Sequence, residues 1–140
     1  MRILLDTCVL SEIRKKKGNS AVKNAVQVFN SADLFLSVIT IGEIVKGIEL
    51  LGSGKRKKEL TAWVQGLERD FSESILSIDI ETVRIWGDLT ASSQKSGKTI
   101  PACDGLIAAT AKRHGLHLMT RNVKDFESTG TMIINPWEYL

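Results

Sequence analysis

The sequence predicts an α/β fold, a three-layer α/β/α sandwich with a mostly parallel central sheet. Two patterns predict it: short continuous apolar runs of the kind that make strands buried on both faces, and intervening segments with apolar residues at helical spacing. A third observation concerns how the runs end. Ile3-Leu4-Leu5 stops at Asp6-Thr7, and the run from His117 stops at Thr120-Arg121-Asn122. In open parallel sheets, ligands bind just outside the carboxyl ends of the strands, so these polar residues stand where a functional crevice forms.

The elements follow in order along the chain. Ile3-Leu4-Leu5 is the first strand; Val9 to Lys16 is expected as a short helix broken at Gly18-Asn19. Ala21 to Phe29 forms a second helix, with Val22, Ala25, Val26 and Phe29 at helical spacing, and Leu34 to Val38 a second strand. Thr40-Ile41-Gly42-Glu43 opens the next helix, whose apolar stripe is Ile41, Ile44, Val45, Ile48 and Leu51. After the loop Gly52-Ser53-Gly54, Lys55 to Phe71 is amphipathic, with Leu60, Trp63, Val64, Leu67 and Phe71 on one side. Ile75 to Ile78 is a third strand, and Ile80 to Gln94 a helix with Val83, Trp86, Leu89 and Thr90 facing inward, stopped by Gly97. Pro101 holds the residue before it extended. The helix that follows, through Gly105-Leu106-Ile107-Ala108-Ala109-Thr110-Ala111, is apolar on nearly every side and therefore buried. His117 to Thr120 is the fourth strand, and Met132 to Ile134 a short last one closed by Asn135-Pro136.

With 140 residues, 43% hydrophobic and 25% charged, the chain reads as one globular domain over residues 1–140, with no repeat or linker. No apolar run approaches the roughly 18 residues of a membrane span, and the opening lacks the regions of a signal peptide. A cytoplasmic protein without membrane contact is expected. Cys8 and Cys103 are too few and too far apart for a disulfide scaffold or a zinc site, and they read as small buried residues. Charge is uneven. Residues 1–60 carry 11 Lys and Arg against 6 acids, and residues 61–140 carry 8 against 10. The excess lies in Arg14-Lys15-Lys16-Lys17 and Lys55-Arg56-Lys57-Lys58, which form either a solvated surface or a binding face for a phosphate backbone.

Asp6, Glu43, Asp104 and the turn from Asn122 to Asp125 all fall at or just beyond strand ends or in first helical turns. Each acid also has a local reading. Thr40 and Glu43 have the spacing of a capping box, and Asp104 would favour its helix N-terminus through the macrodipole. Gathered at one edge of the sheet, however, several acids repel unless a cation sits among them. An all-oxygen cluster suits Mg²⁺ or Mn²⁺, ions that keep waters and meet substrate phosphates, which points to phosphoryl chemistry. An aspartyl-phosphate phosphatase fits less well, because a second acid is wanted two residues after Asp6 and Cys8 stands there.

Four blocks carry a family resemblance: Leu4-Leu5-Asp6-Thr7-Cys8-Val9-Leu10-Ser11-Glu12, Ser37-Val38-Ile39-Thr40-Ile41-Gly42-Glu43-Ile44-Val45-Lys46-Gly47, Asp104-Gly105-Leu106-Ile107-Ala108-Ala109-Thr110-Ala111, and Thr120-Arg121-Asn122-Val123-Lys124-Asp125-Phe126. In this order and spacing they resemble a PIN domain of the VapC toxin type, FitB-like branch, along essentially the whole chain, down to the closing Ile134-Asn135-Pro136-Trp137. The resemblance implies a Mg²⁺-dependent endoribonuclease, with Mn²⁺ as a possible substitute, that is neutralised by a VapB-type antitoxin and forms a homodimer. It also implies contact with DNA only through the antitoxin. Asp6 and Asp104 match the principal metal ligands and Glu43 the third acid; Thr7 and Thr120 match polar residues that hydrogen-bond within the site.

Two departures from the family pattern stand out. Cys8 occupies a position where many relatives have Asn, and a thiol there supports the pocket without ligating Mg²⁺. Asn122 stands where some relatives have a fourth Asp, so either Asn122 through its carbonyl or Asp125 through its charge completes the set. The implied reaction is metal-assisted hydrolysis of an RNA phosphodiester, leaving a 5′-phosphate and a 3′-hydroxyl. His114 and His117 are expected at helix ends or on the surface rather than as the base. The alternative reading keeps the fold but makes the toxin-antitoxin complex mainly a DNA-binding autorepressor with marginal nuclease activity.

Overall fold

The computed structural model describes residues 1–138. At its centre is β1 (Ile3–Leu5), every residue of which is buried. It pairs in parallel with β2 (Leu34–Ser37) on one side and β4 (His117–Met119) on the other. β3 (Ile75–Leu76) lies outside β2, and β5 (Ile133–Ile134) outside β4, giving the order β3-β2-β1-β4-β5 with every pair parallel. The central strands are therefore the ones that carry Asp6 and Thr120 at their ends.

Alternation along β1 divides the core between the two faces of the sheet. Ile3 and Leu5 pack with Val9 and Leu10 of α1 (Thr7–Arg14), Val22 of α2 (Ser20–Gln27), Ile44 and Ile48 of α3 (Val38–Glu49), and Val64 and Leu67 of α4 (Lys55–Asp70). Leu4 packs on the opposite face with Leu89 of α5 (Ile80–Lys95), Ile107 and Ala108 of α6 (Ala102–His114), and Phe126 of α7 (Val123–Phe126). Helices cover both faces, which makes the three layers.

Several boundaries differ from those the sequence suggests, each for a local reason. α1 begins at Thr7 rather than Val9, because the Asp6 carboxylate caps it. α3 begins at Val38, since Ser37 is the residue whose side chain accepts from the Ile39 amide. Thr40 therefore lies inside the helix with its hydroxyl buried and unpartnered, and the capping box with Glu43 does not form. β3 ends at Leu76 and β5 starts at Ile133, and Thr120 lies one residue past β4. On α5 the inward face is Thr82, Leu89 and Ser93, whereas Val83 is exposed; Val45 on α3 is exposed as well. Cys103 is also exposed and Cys8 half-buried, so neither is the buried filler expected of it.

α6 approaches α5 closely at Gly105, where a β-carbon would lie 3.0 Å from the Trp86 indole. That contact fixes the helix whose first turn carries Asp104. Gly105→Val is expected to destabilise the protein by about 1–3 kcal/mol through overpacking. Urea denaturation checks this, and an unchanged midpoint would mean the helices part without cost.

Candidate functional site

The site is built outward from Asp6, 5% exposed at the end of β1. Its backbone N–H donates to the Met119 carbonyl of β4 at 3.0 Å, which locks the strand end in place. Both carboxylate oxygens are held. Oδ1 accepts from the Thr7 amide at 2.9 Å, and Oδ2 from the Thr120 hydroxyl at 2.8 Å. The Cys8 thiol donates to the same Oδ2 at 3.8 Å and lies 3.6 Å from the Thr120 hydroxyl, a supporting rather than an anchoring contact.

The network extends to both sides of Asp6. Towards β2, the Thr7 hydroxyl donates to Glu43 Oε1 at 3.1 Å. Beyond β4, the Asn122 backbone N–H donates to the Thr120 hydroxyl at 3.0 Å. A continuous line thus runs from Glu43 through Thr7, Asp6 and Thr120 to Asn122. Residues just beyond β1 and β4 meet in it with Glu43 from α3, the helix that follows β2.

Electrostatics tie Asp104 and Asp125 to this line. Burial pushes the Asp104 carboxyl up to about 6, and the charges of Asp6, Asp125 and Glu43 add to the rise. Burial likewise raises Asp6, against the hydrogen bonds from Thr120, Thr7 and Cys8, with Asp125 repelling it further. Glu43 is raised by burial, offset in part by the Thr7 hydrogen bond, while Asp6 pushes it up and Lys46 draws it down. Burial raises the Cys8 thiol too, so it stays protonated beside the acids at neutral pH. Among the described residues the Asp104 and Asp125 carboxylates accept no side-chain hydrogen bond, so these two acids are less anchored than Asp6 and Glu43.

The donor set is made of oxygens and suits a hard divalent cation. Among the described residues no three His, Cys, Asp or Glu side chains are drawn close enough to grip an ion as they stand. A cation among them would offset the desolvation and mutual repulsion that raise these acids.

Asn122 and Asp125 are exposed and line one cleft together with Arg121 and Lys124. Thr7 and Glu43 line a second, which also takes in Gly47, Arg14, Lys15, Arg56 and Trp63. Both basic runs thus contribute to the second cleft, although Lys15 pairs with Glu12 at 3.5 Å and Lys57 with Glu49 at 3.4 Å. Such exposed pairs contribute little and leave most of the positive field in place. His114 ends α6 as expected, whereas His117, expected at a helix end or on the surface, begins β4 and is half-buried.

Two features escaped the sequence reading. Arg121, which lines the first cleft, lies over the Trp137 ring, and Arg14 lies over Trp63, both lining the second. Trp63 was legible only as part of an apolar stripe, and Trp137 only as part of the closing motif.

Comparison with known proteins adds to this geometry. The family model described as "PIN domain" matches residues 3–131. The chain is 38% identical over 140 residues to the VapC ribonuclease Y4jK of Sinorhizobium fredii, covering 97% of this chain and 98% of that one. It is 36% identical over 136 residues to toxin FitB of Neisseria gonorrhoeae, covering 96% and 98%. Among solved structures, a chain of FitAB bound to an IR36 DNA fragment superposes with a TM-score of 0.90 at 34% identity, covering 99% of this chain and 97% of that one.

Proposed function

Since the chain belongs to the PIN-domain family, we propose that it is a divalent-metal-dependent endoribonuclease of the VapC toxin type, hydrolysing RNA and silenced by a VapB-type antitoxin. The observation that carries this reading is the electrostatic convergence of Asp6 at the end of β1, Glu43 on α3 and Asp104 in the first turn of α6, where Asp6 raises the proton affinity of Glu43, and both raise that of Asp104. Asp6, Glu43 and Asp104 are the residues that would hold Mg²⁺ or Mn²⁺, with Asn122 and Asp125 beside them. When bound, the ion supplies positive charge against the scissile phosphate and lowers the pKa of water to a useful range.

The chain's own groups prepare that chemistry. Thr7 and Thr120 fix both oxygens of Asp6, and Thr7 also orients Glu43, so two acids are preorganised before substrate arrives. Arg14, Lys15 and Arg56 line the cleft at Glu43 and attract the RNA backbone. Its proton affinity leaves Asp104 half-ionised near pH 6, so its proton leaves as a cation enters. We further assign a homodimer in the cytoplasm, with DNA reached only through the antitoxin. Among the described residues no helix is long and apolar enough to cross a membrane.

Purified protein incubated with RNA should cut it in Mg²⁺, leave 5′-phosphate ends and stop in EDTA. End-labelled RNA on a denaturing gel reads the result. Cleavage that persists in EDTA, or none under any divalent ion, would remove the enzyme reading.

A further inference from the structure

Two guanidinium groups line the two clefts reached by the hydrogen-bonded line from Glu43 to Asn122, one in each, and among the described residues neither forms a salt bridge with a carboxylate. Arg14, at the end of α1, lies with its Cζ 5.5 Å from the centroid of Trp63 on α4. Both line the cleft that contains Thr7 and Glu43. Arg121, beyond β4, lies 5.1 Å from the centroid of Trp137, which follows β5. Arg121 lines the cleft that contains Asn122 and Asp125. Both arginines are exposed; both indoles are half-buried and packed against the hydrophobic core.

This arrangement has a physical consequence. An exposed arginine normally samples many rotamers, but one resting on an anchored indole is held by the cation–π attraction and keeps its charge and its donors available. A guanidinium so placed can donate two hydrogen bonds to a phosphate from its edge or stack a nucleobase against its plane. The hydrogen-bonded line from Glu43 through Thr7, Asp6 and Thr120 to Asn122 leads from one arginine's cleft to the other's. A single strand laid along that line meets an arginine before the acids and another after them.

We infer that the Arg14–Trp63 and Arg121–Trp137 pairs are two positioning platforms that hold single-stranded RNA on either side of the scissile phosphate. One serves the 5′ flank and the other the 3′ flank. The inference rests on the ribonuclease reading above and adds the residues that set the strand's path. Arg14 and Arg121 act by placing the substrate, so their loss changes binding more than turnover.

The test uses a fluorescent RNA oligonucleotide that contains a site cut by the wild-type protein. Binding is followed by anisotropy in Ca²⁺ and cleavage in Mg²⁺, for wild type, Arg14→Ala, Arg121→Ala and Trp137→Leu. Each arginine variant is expected to bind about tenfold more weakly and to raise KM with kcat nearly unchanged. Its slope of log K against log salt should be shallower by about 0.7, as for one lost phosphate contact on a single strand. Arg121→Ala and Trp137→Leu should not add, because they remove the same platform.

Substrate length separates the two platforms. Shortening the RNA on one side of the cut should silence Arg14→Ala and leave Arg121→Ala effective, and shortening the other side should do the reverse. Arginine variants that bind and cut as the wild type does, or that both fall silent with the same truncation, overturn the platforms while the ribonuclease reading stands. Loss of antitoxin binding in the variants with RNA binding intact also overturns them, in favour of a protein partner at these arginines. A wild-type protein that neither binds nor cuts RNA overturns the ribonuclease reading itself.

Discussion

Asp104→Asn is expected to lower the rate of RNA cleavage on the order of 10³-fold and, in EDTA at neutral pH, to make the protein more stable. The two effects have one cause. Burial and the charges of Asp6, Asp125 and Glu43 hold the Asp104 carboxyl up to about 6, well above its value in an unfolded chain. Below about pH 4 the group is protonated in both states and carries no penalty. Between there and about 6 the unfolded chain ionises while the folded one resists, so the native state loses stability as pH rises, and the loss is complete above about 6. Asparagine has no charge to repel and escapes that loss. Thermal melts of the two proteins in EDTA across this pH range should diverge as pH rises, the variant melting higher. Mg²⁺ should then raise the wild-type midpoint more than the variant's, because the ion binds the native acids. A variant that melts lower than wild type at every pH would show Asp104 to be a structural acid.

Asp6 separates structure from chemistry in a different way. Its Oδ1 caps α1 by accepting from the Thr7 amide, and its Oδ2 accepts from Thr120. Asparagine keeps an oxygen for the Thr7 amide, and the Thr120 hydroxyl can turn to accept from the new amide, so the fold survives and the charge is lost. Alanine removes the cap, which costs about 1 kcal/mol, and strands a buried hydroxyl for about 1–3 kcal/mol more. Cleavage should fall on the order of 10³-fold in both variants, while denaturation shows Asp6→Ala well below Asp6→Asn in stability. An asparagine variant that still cuts RNA near the wild-type rate would assign Asp6 to capping alone.

The layers of the fold were legible because burial on both faces leaves an unmistakable trace. Ile3-Leu4-Leu5 has no polar alternation, and no residue of β1 is exposed. Sequence periodicity was less reliable at element ends. Val38 looks like the last residue of a strand, yet Ser37 beside it is a better cap than Thr40, and one hydrogen bond moved the start of α3 by two residues. The same shift decided between two readings of Glu43. Inside the helix and bonded to Thr7, it faces Asp6 instead of folding back to a cap.

Side chains that meet only in three dimensions were the least legible. Asp6 and Asp104 stand out in the sequence because one follows an apolar run and the other opens a helix apolar on nearly every side, whereas Glu43 stands out through a helix start that the structure moves. Arg121 and Trp137 follow β4 and β5, strands adjacent in the sheet but separated in sequence by α7, and nothing in a linear pattern announces that one will rest on the other. Cys8 looked like core filler for the same reason. Its neighbours Asp6 and Thr120 keep it at the edge of a polar site, with the Arg121 amide donating to its sulfur at 3.5 Å.

The account depends on three acids acting together on one divalent centre, and titration with Mn²⁺ followed by electron paramagnetic resonance tests that directly. Wild-type protein should bind Mn²⁺ saturably, and Asp6→Asn, Glu43→Gln and Asp104→Asn should each weaken the affinity by more than about tenfold without unfolding the chain. Affinity that is unchanged in all three variants, or no saturable Mn²⁺ binding by the wild type, would contradict it.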